Sequence, residues 1–285
     1  MTVRASCNDL LLVSNYQGYY YICNPVTKKY FPIPIEYSLE TKIGFALVCN
    51  LPDFNEPTYK VVVLDRISLV DASGEALVSR YGQTVRVFCS ESGQWTKSFF
   101  LFPSRPTRDH AEFANVVSCN GILYWMDGLH NLDRVVSLDL ADNRCGVIYF
   151  PDIVRNHDTR PPNDSRIQIG VVRDELRLLH VLRVGPGMEC FVLRVWELDR
   201  WDGSWALVDE RDLRFSDTVV AAIFHPKDCD SIFVVCGKSV YECGVSKDTC
   251  RELGEFGEME SIGDEGLASF VLVHPLWPTP IPGDV

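Results

Sequence analysis

Ser6-Cys7-Asn8-Asp9-Leu10-Leu11-Leu12 is echoed much later in the chain by Ser118-Cys119-Asn120-Gly121-Ile122-Leu123-Tyr124. In each copy an Asn-Asp or Asn-Gly pair precedes an apolar run. Those residues tolerate positive φ, so a two-residue loop forms with the twist that antiparallel strands need. The echo predicts a fold built from copies of one β unit. A second phrase recurs more often: an alternating strand, a polar turn, then an aromatic residue or Cys opening the next strand. Its copies are Tyr20–Tyr30, Val85–Trp95, Val135–Cys145, Val195–Trp205 and Val240–Cys250. Their ends lie 65, 50, 60 and 45 residues apart, close to the roughly 40–50-residue blade period of kelch-like or WD40-like repeats, with four strands per blade.

The fold expected is therefore all-β, a kelch-like β-propeller of five to six blades of four antiparallel strands, occupying residues 1–285 as a single domain. Blade one takes Thr2–Cys7, or else the C-terminal Leu267–His274, as its innermost strand. Later blades begin at Ile43, Ala114, Ile167 and Val219. A pair of β-sandwiches is the alternative, but it does not explain one recurring internal order. No stretch shows a helical period.

The chain has 285 residues, 46% of them hydrophobic and 23% charged, which suits a globular protein and not a disordered one. No apolar run approaches the roughly 20 residues of a membrane-crossing helix, and no secretory signal opens the chain. The eleven cysteines are scattered and odd in number. That argues against a disulfide framework and for reduced thiols in cytosol or nucleus. Cys229, Cys236, Cys243 and Cys250 share a constant spacing, which alternates faces within a continuous strand and sets no metal site. A net charge of −12 argues against nucleic acid and leaves room for a basic partner.

The residues also resemble a known family. Ser6–Leu11, the run Cys23-Asn24-Pro25-Val26-Thr27-Lys28, Ile43-Gly44-Phe45, Tyr59–Val63, Val85–Trp95 and the Asn120-Gly121 hairpin follow, in order, the pattern of the F-box-associated, kelch-like domain of plant F-box proteins. Asp9 stands where that pattern usually has Gly. The resemblance implies the substrate-holding part of an SCF-type ubiquitin ligase receptor, which would act in cytoplasm or nucleus. In that family an F-box lies ahead of this domain and binds Skp1, which joins the cullin. Five residues precede Ser6, so no F-box is expected here, and docking to Skp1 and cullin is expected to be lost.

Motifs of catalysis are missing: no nucleophile elbow, no zinc-protease helix, no calcium loop, and a phosphate-loop mimic at Gly237-Lys238-Ser239 that lacks its first glycine. The chain is read as no enzyme, with no cofactor and no metal. The opposed reading is a carbohydrate-binding or carbohydrate-active propeller, with Asp65, Asp127 and Asp174 as candidate carboxylates.

Antiparallel topology places the loops between strands two and three on the same edge as the connections between blades. That edge carries most long segments (34–42, 65–82, 102–113, 127–134, 151–166, 208–218 and 254–266) and most of the net charge. It is the expected partner-binding face. Its candidate residues are Arg105, Arg108, His110, Arg155, His157 and Arg160 on its mixed segments, and Glu255, Glu258 and Glu260 on its acidic one. The target expected is a protein with a basic segment. Trp201, in the turn 199–204, is either an exposed partner anchor or a residue packed on the rim. The proline-rich tail after His274 either binds a proline-recognising domain or packs Trp277 against the first blade.

Overall fold

In a computed structural model the described residues are 1–34, 42–50, 58–65, 68–70, 80–103, 116–127, 133–142, 144–155, 165–184, 190–225, 228–247 and 249–255. They form five antiparallel meanders, the blades of a β-propeller. Blade 1 runs β1 (Thr2–Cys7), β2 (Leu10–Ser14), β3 (Tyr20–Asn24) and β4 (Lys29–Pro32). Blade 2 has β5 (Lys42–Asn50), β6 (Thr58–Asp65), a short β7 (Ser68–Val70), β8 (Arg80–Cys89) and β9 (Gln94–Leu101). Blade 3 has β10 (Val117–Cys119), β11 (Ile122–Met126), β12 (Arg134–Asp139) and β13 (Arg144–Tyr149). Blade 4 has β14 (Ser165–Val172), β15 (Glu175–Arg183), β16 (Cys190–Leu198) and β17 (Trp205–Arg214). Blade 5 has β18 (Val219–Phe224), β19 (Ser231–Cys236), β20 (Ser239–Gly244) and β21 (Cys250–Glu255). Thr2–Cys7 is thus the first strand of blade 1. The other candidate, 267–274, lies outside the described residues, as does the tail.

Burial explains the strand order within a blade. Middle strands are covered on both faces: in β15, Leu176, Leu178, Leu179, Val181 and Leu182 are all buried. Fourth strands face water, and β21 is exposed along its whole length. Charged residues there (Arg251, Glu252, Glu255) blunt an edge that would otherwise pair with another chain. The described residues up to 147 make one compact unit and those from 148 onward a second. Within the first, β1 lies beside β5 and β5 beside β10; within the second, β14 lies beside β18. Within each unit the first strands of successive blades therefore adjoin, and apolar clusters fill the space between blades 1 and 2, 2 and 3, and 4 and 5.

The closeness of β14 and β18 depends on one small residue. A Cβ at Gly170 would come within 2.5 Å of the Phe224 ring. Gly170→Val should destabilise the chain by about 1–3 kcal/mol, because the added carbons would force the buried Phe224 ring or a strand to shift; urea denaturation at unchanged m-value measures it.

Both motif hairpins form. Cys7 pairs Leu10 across Asn8-Asp9, and Cys119 pairs Ile122 across Asn120-Gly121. Asn8, Asn120 and Gly121 take positive φ. A third such hairpin, Arg173-Asp174 between Val172 and Glu175, also has both residues at positive φ. Asp9, the departure from the family pattern, is buried and accepts a 2.7 Å hydrogen bond from Asn24 Nδ2. Asn24 Oδ1 in turn accepts the amides of Val26 (3.0 Å) and Thr27 (3.2 Å). The two quoted motifs of blade 1 are thereby one hydrogen-bonded cluster.

Three expectations need correction. Segment 208–218 is not a loop: β17 continues to Arg214, because its ladder with β16 (Asp212 opposite Val192, Glu210 opposite Arg194) holds a polar strand at the solvent edge. Among the described residues one helical turn, α1 (Asp152–Arg155), is present, too short to leave a period in the sequence. Cys243 and Cys250 do not sit on opposite faces. A hairpin turn separates them, so they stand directly opposite in β20 and β21 and are joined as a disulfide. The other described cysteines are free thiols.

The turn before the fourth strand carries its own repeat. Gly93 and Gly203, each two residues before a Trp, have positive φ, and Lys28, two residues before Tyr30, has φ of 58°. A lysine bears a left-handed cost that glycine avoids. Lys28→Gly should therefore stabilise the chain by about 0.5–1 kcal/mol net of the added chain entropy, seen as a rise in thermal midpoint.

Candidate functional site

The carboxylates considered for chemistry have structural employment. Asp65 ends β6 and is ion-paired with Arg86 on β8, both side chains 3% exposed. Gln83 Nε2 donates to the Asp65 carbonyl at 2.6 Å. Asp127 follows β11 and accepts from Arg134 Nε at 2.8 Å and Nη2 at 2.7 Å. Asp174 is a hairpin-turn residue at positive φ. A hydrolytic pair needs carboxyl groups poised on one substrate, one of them able to hold or accept a proton. Asp65 and Asp127 are instead each bound to a buried guanidinium. Among the described residues no group of His, Cys, Asp and Glu is arranged to hold a metal ion.

The long-loop edge is shaped by a repeat that no sequence signal announced. The first strands of blades 1, 2 and 5 each carry a bulge close to their start, between Val3 and Ala5, Lys42 and Gly44, and Val219 and Ala221. A bulge adds one unpaired residue and bends the strand, which re-aims nearby side chains. In blade 5 the bulged residue presents its carbonyl to its neighbour: Arg166 Nε of β14 donates to Val220 O at 3.0 Å. In blade 1 the bulged residue is Arg4, which donates to Ser14 Oγ at 2.9 Å and lies 5.4 Å over the Phe45 ring.

Of the ten residues expected at a partner site, Arg105, Arg108, His110, His157, Arg160, Glu258 and Glu260 lie outside the described residues. The three described ones are not alike. Arg155 is exposed but engaged, paired with Asp152 within α1 and stacked 5.6 Å over the Tyr149 ring. Glu255 is exposed at the end of β21. Trp201 is 98% exposed, which decides between its two readings in favour of exposure. It sits in the loop joining β16 to β17, at the opposite end of its blade from the loop joining β15 to β16. The long-loop edge and Trp201 are therefore separate surfaces.

The thiols differ in reactivity. Burial pushes Cys145 up to about 12. Cys89 is drawn below the ordinary thiol range, first by the backbone amide of Ser92, so it holds more thiolate at neutral pH.

Residues 1–246 match the family described as F-box protein At3g26010-like, beta-propeller. The chain belongs to this family. Among curated relatives, the F-box protein At5g49610 of Arabidopsis thaliana is 25% identical over 238 residues, 78% of this chain and 59% of the relative. The F-box protein At3g28330 of the same plant is 26% identical over 200 residues, 68% of this chain and 45% of the relative. This member of the F-box-type propeller family thus spans about half the length of the curated relatives it matches. A solved oligogalacturonate lyase in complex with manganese has TM-score 0.53 at 9% identity, over 90% of this chain and 65% of that one. At that identity the likeness concerns the fold alone.

Proposed function

We propose that this propeller holds a target protein for an SCF-type ubiquitin ligase, with the target lying on the long-loop edge. Membership of the F-box-type propeller family carries the reading. Two structural facts support it. The buried carboxylates that a hydrolase would need serve as partners for Arg86 and Arg134. The bulges in β1, β5 and β18 shape the edge where the long connections gather. The acids Glu255, Glu258 and Glu260 suit a target with a basic stretch.

Capture of the tagged chain from proteasome-inhibited cells of its source organism tests this. The expected catch contains a ubiquitin-bearing protein whose half-life lengthens when the chain is deleted; Skp1 and a cullin in the same catch would overturn the expectation that adaptor docking is lost. A triple charge reversal at Glu255, Glu258 and Glu260 should lower recovery of that target several-fold at low salt. Unaltered target turnover with neither ligase subunit present would overturn the receptor reading; undiminished recovery by the triple variant would remove the acidic segment from the site.

A further inference from the structure

The loop joining β16 to β17 holds an indole in water by design of its backbone. Asp199 Oδ1 accepts the Trp201 amide at 2.7 Å, and Asp202 Oδ1 accepts the Ser204 amide at 2.7 Å. Backbone bonds Asp199 N to Ser204 O (2.8 Å) and Gly203 N to Asp199 O (2.9 Å) close the turn. Arg200 is tied to Glu175 of β15 at 2.8 Å. Single exposed hydrophobic residues are common on protein surfaces. Here, however, the largest side chain of the set projects from a turn in which each of its neighbours is hydrogen-bonded. A partner that covers it removes a large apolar area from water at little ordering cost.

The surroundings say what kind of partner. Two residues beyond Glu175, Arg177 bonds Glu197 (2.8 Å) and donates to Cys229 O at 3.0 Å, which seats the Asp228–Asp230 turn of blade 5 against blade 4. Among the described residues three cations at this end of the two blades are taken, Arg200 by Glu175, Arg177 by Glu197, and Lys247 by Asp230 at 3.4 Å, while Arg173 in the neighbouring hairpin turn is exposed. Asp199, Asp202 and Asp228 receive hydrogen bonds from amides and a hydroxyl, not ion pairs, among the described residues. Hydrogen bonds from the Ser204 side chain and the Asp230 amide hold the Asp202 and Asp228 carboxyls below the usual range, so both are charged at neutral pH. An electron-rich ring beside carboxylates held in no ion pair attracts cations and disfavours nucleic acid and anionic lipid.

We propose that Trp201 anchors a basic segment of a partner protein, an arginine or lysine packing over its indole while neighbouring cations meet Asp199, Asp202 and Asp228. This surface is independent of the ligase reading and of the long-loop edge.

Peptide display on the immobilised chain, counter-selected on Trp201→Ala, tests it. The expected winners carry two or more Arg or Lys residues. A synthetic winner should shift the Trp201 indole resonance, which Trp201→Phe assigns. Its affinity should fall about tenfold in Trp201→Ala. It should fall several-fold in Asp202→Asn/Asp228→Asn and with added salt, and remain unchanged in Glu255→Lys. Winners that bind Trp201→Ala equally well, or that keep their affinity when arginine is replaced by citrulline, would overturn the proposal. Far-ultraviolet circular dichroism of the exposed-site variants confirms that each is folded.

Discussion

Asp65→Ala should destabilise this chain by about 3–5 kcal/mol, the largest effect expected of any single surface-independent charge change. The guanidinium of Arg86 is 3% exposed and is held by the Asp65 carboxylate. Removing the carboxylate takes away the anion that offsets much of this cation's desolvation. The complementary experiment separates pairing from packing. A double replacement, Asp65→Leu with Arg86→Met, removes both charges and fills similar volume. It should recover most of the loss, since a well-packed apolar pair is often as stable as a buried ion pair. Urea denaturation of the wild type, both singles and the double gives the coupling energy directly. If Asp65 had a chemical role instead, the single variant would keep its stability, and that outcome would sink the structural assignment.

Trp125→Ala should cost a comparable amount, about 3–5 kcal/mol. The side chain is fully buried on β11, among Ala46, Val62, Leu64 and Val85 of blade 2 and Leu123, Val136 and Leu138 of blade 3. The Phe100 ring lies edge-on, 6.4 Å away at 63°. Strands on both sides are fixed by their ladders, so the cavity cannot collapse and the loss includes the cavity term as well as transfer. Trp125→Phe should cost less, keeping the edge contact at smaller volume. A thermal midpoint of Trp125→Ala within a degree or two of wild type would show that blades 2 and 3 do not rely on this contact.

Much of the architecture is legible in the chain because the strands are made by local rules. The runs Leu10–Ser14, Ile122–Met126, Cys190–Leu198, Ser231–Cys236 and Ser239–Gly244 are bounded by turn residues and are strands to the residue. Asn120-Gly121 announces its hairpin because both residues favour positive φ. Arg173-Asp174 adopts the same geometry unannounced, since arginine carries no such preference and the ladder of β14 with β15 imposes it. The end of β17 is illegible for a similar reason: Asp209-Glu210-Arg211-Asp212 reads as a loop, but pairing along β16 overrides composition at an edge. The ion pairs divide instructively. Asp127 and Arg134 flank one strand-to-strand connection, so an acid ending a strand and a base opening the next was a usable signal. Asp65 and Arg86 sit on strands separated by β7 and its flanking chain, and only the three-dimensional register brings them together. The turn of Trp201 is legible in Asp199–Ser204, but its exposure depends on how the neighbouring blades pack. The bulges of β1, β5 and β18 left no sequence trace, because an extra residue in a strand looks like any other.

The two Gly-x-Trp turns have a further bond in common. Trp95 Nε1 donates to Pro34 O at 2.8 Å, just past the end of β4, and Trp205 Nε1 donates to Tyr149 O at 3.0 Å, the last residue of β13. In each case a residue opening one outer strand is fastened to the chain leaving the previous one. A meander is therefore not a self-contained module of this polypeptide. Splitting the gene between Pro34 and Lys42 into two separately expressed pieces would part an indole from its acceptor. Duplicating a blade would preserve the bond only if the copied segment began inside one blade and ended at the same point in the next.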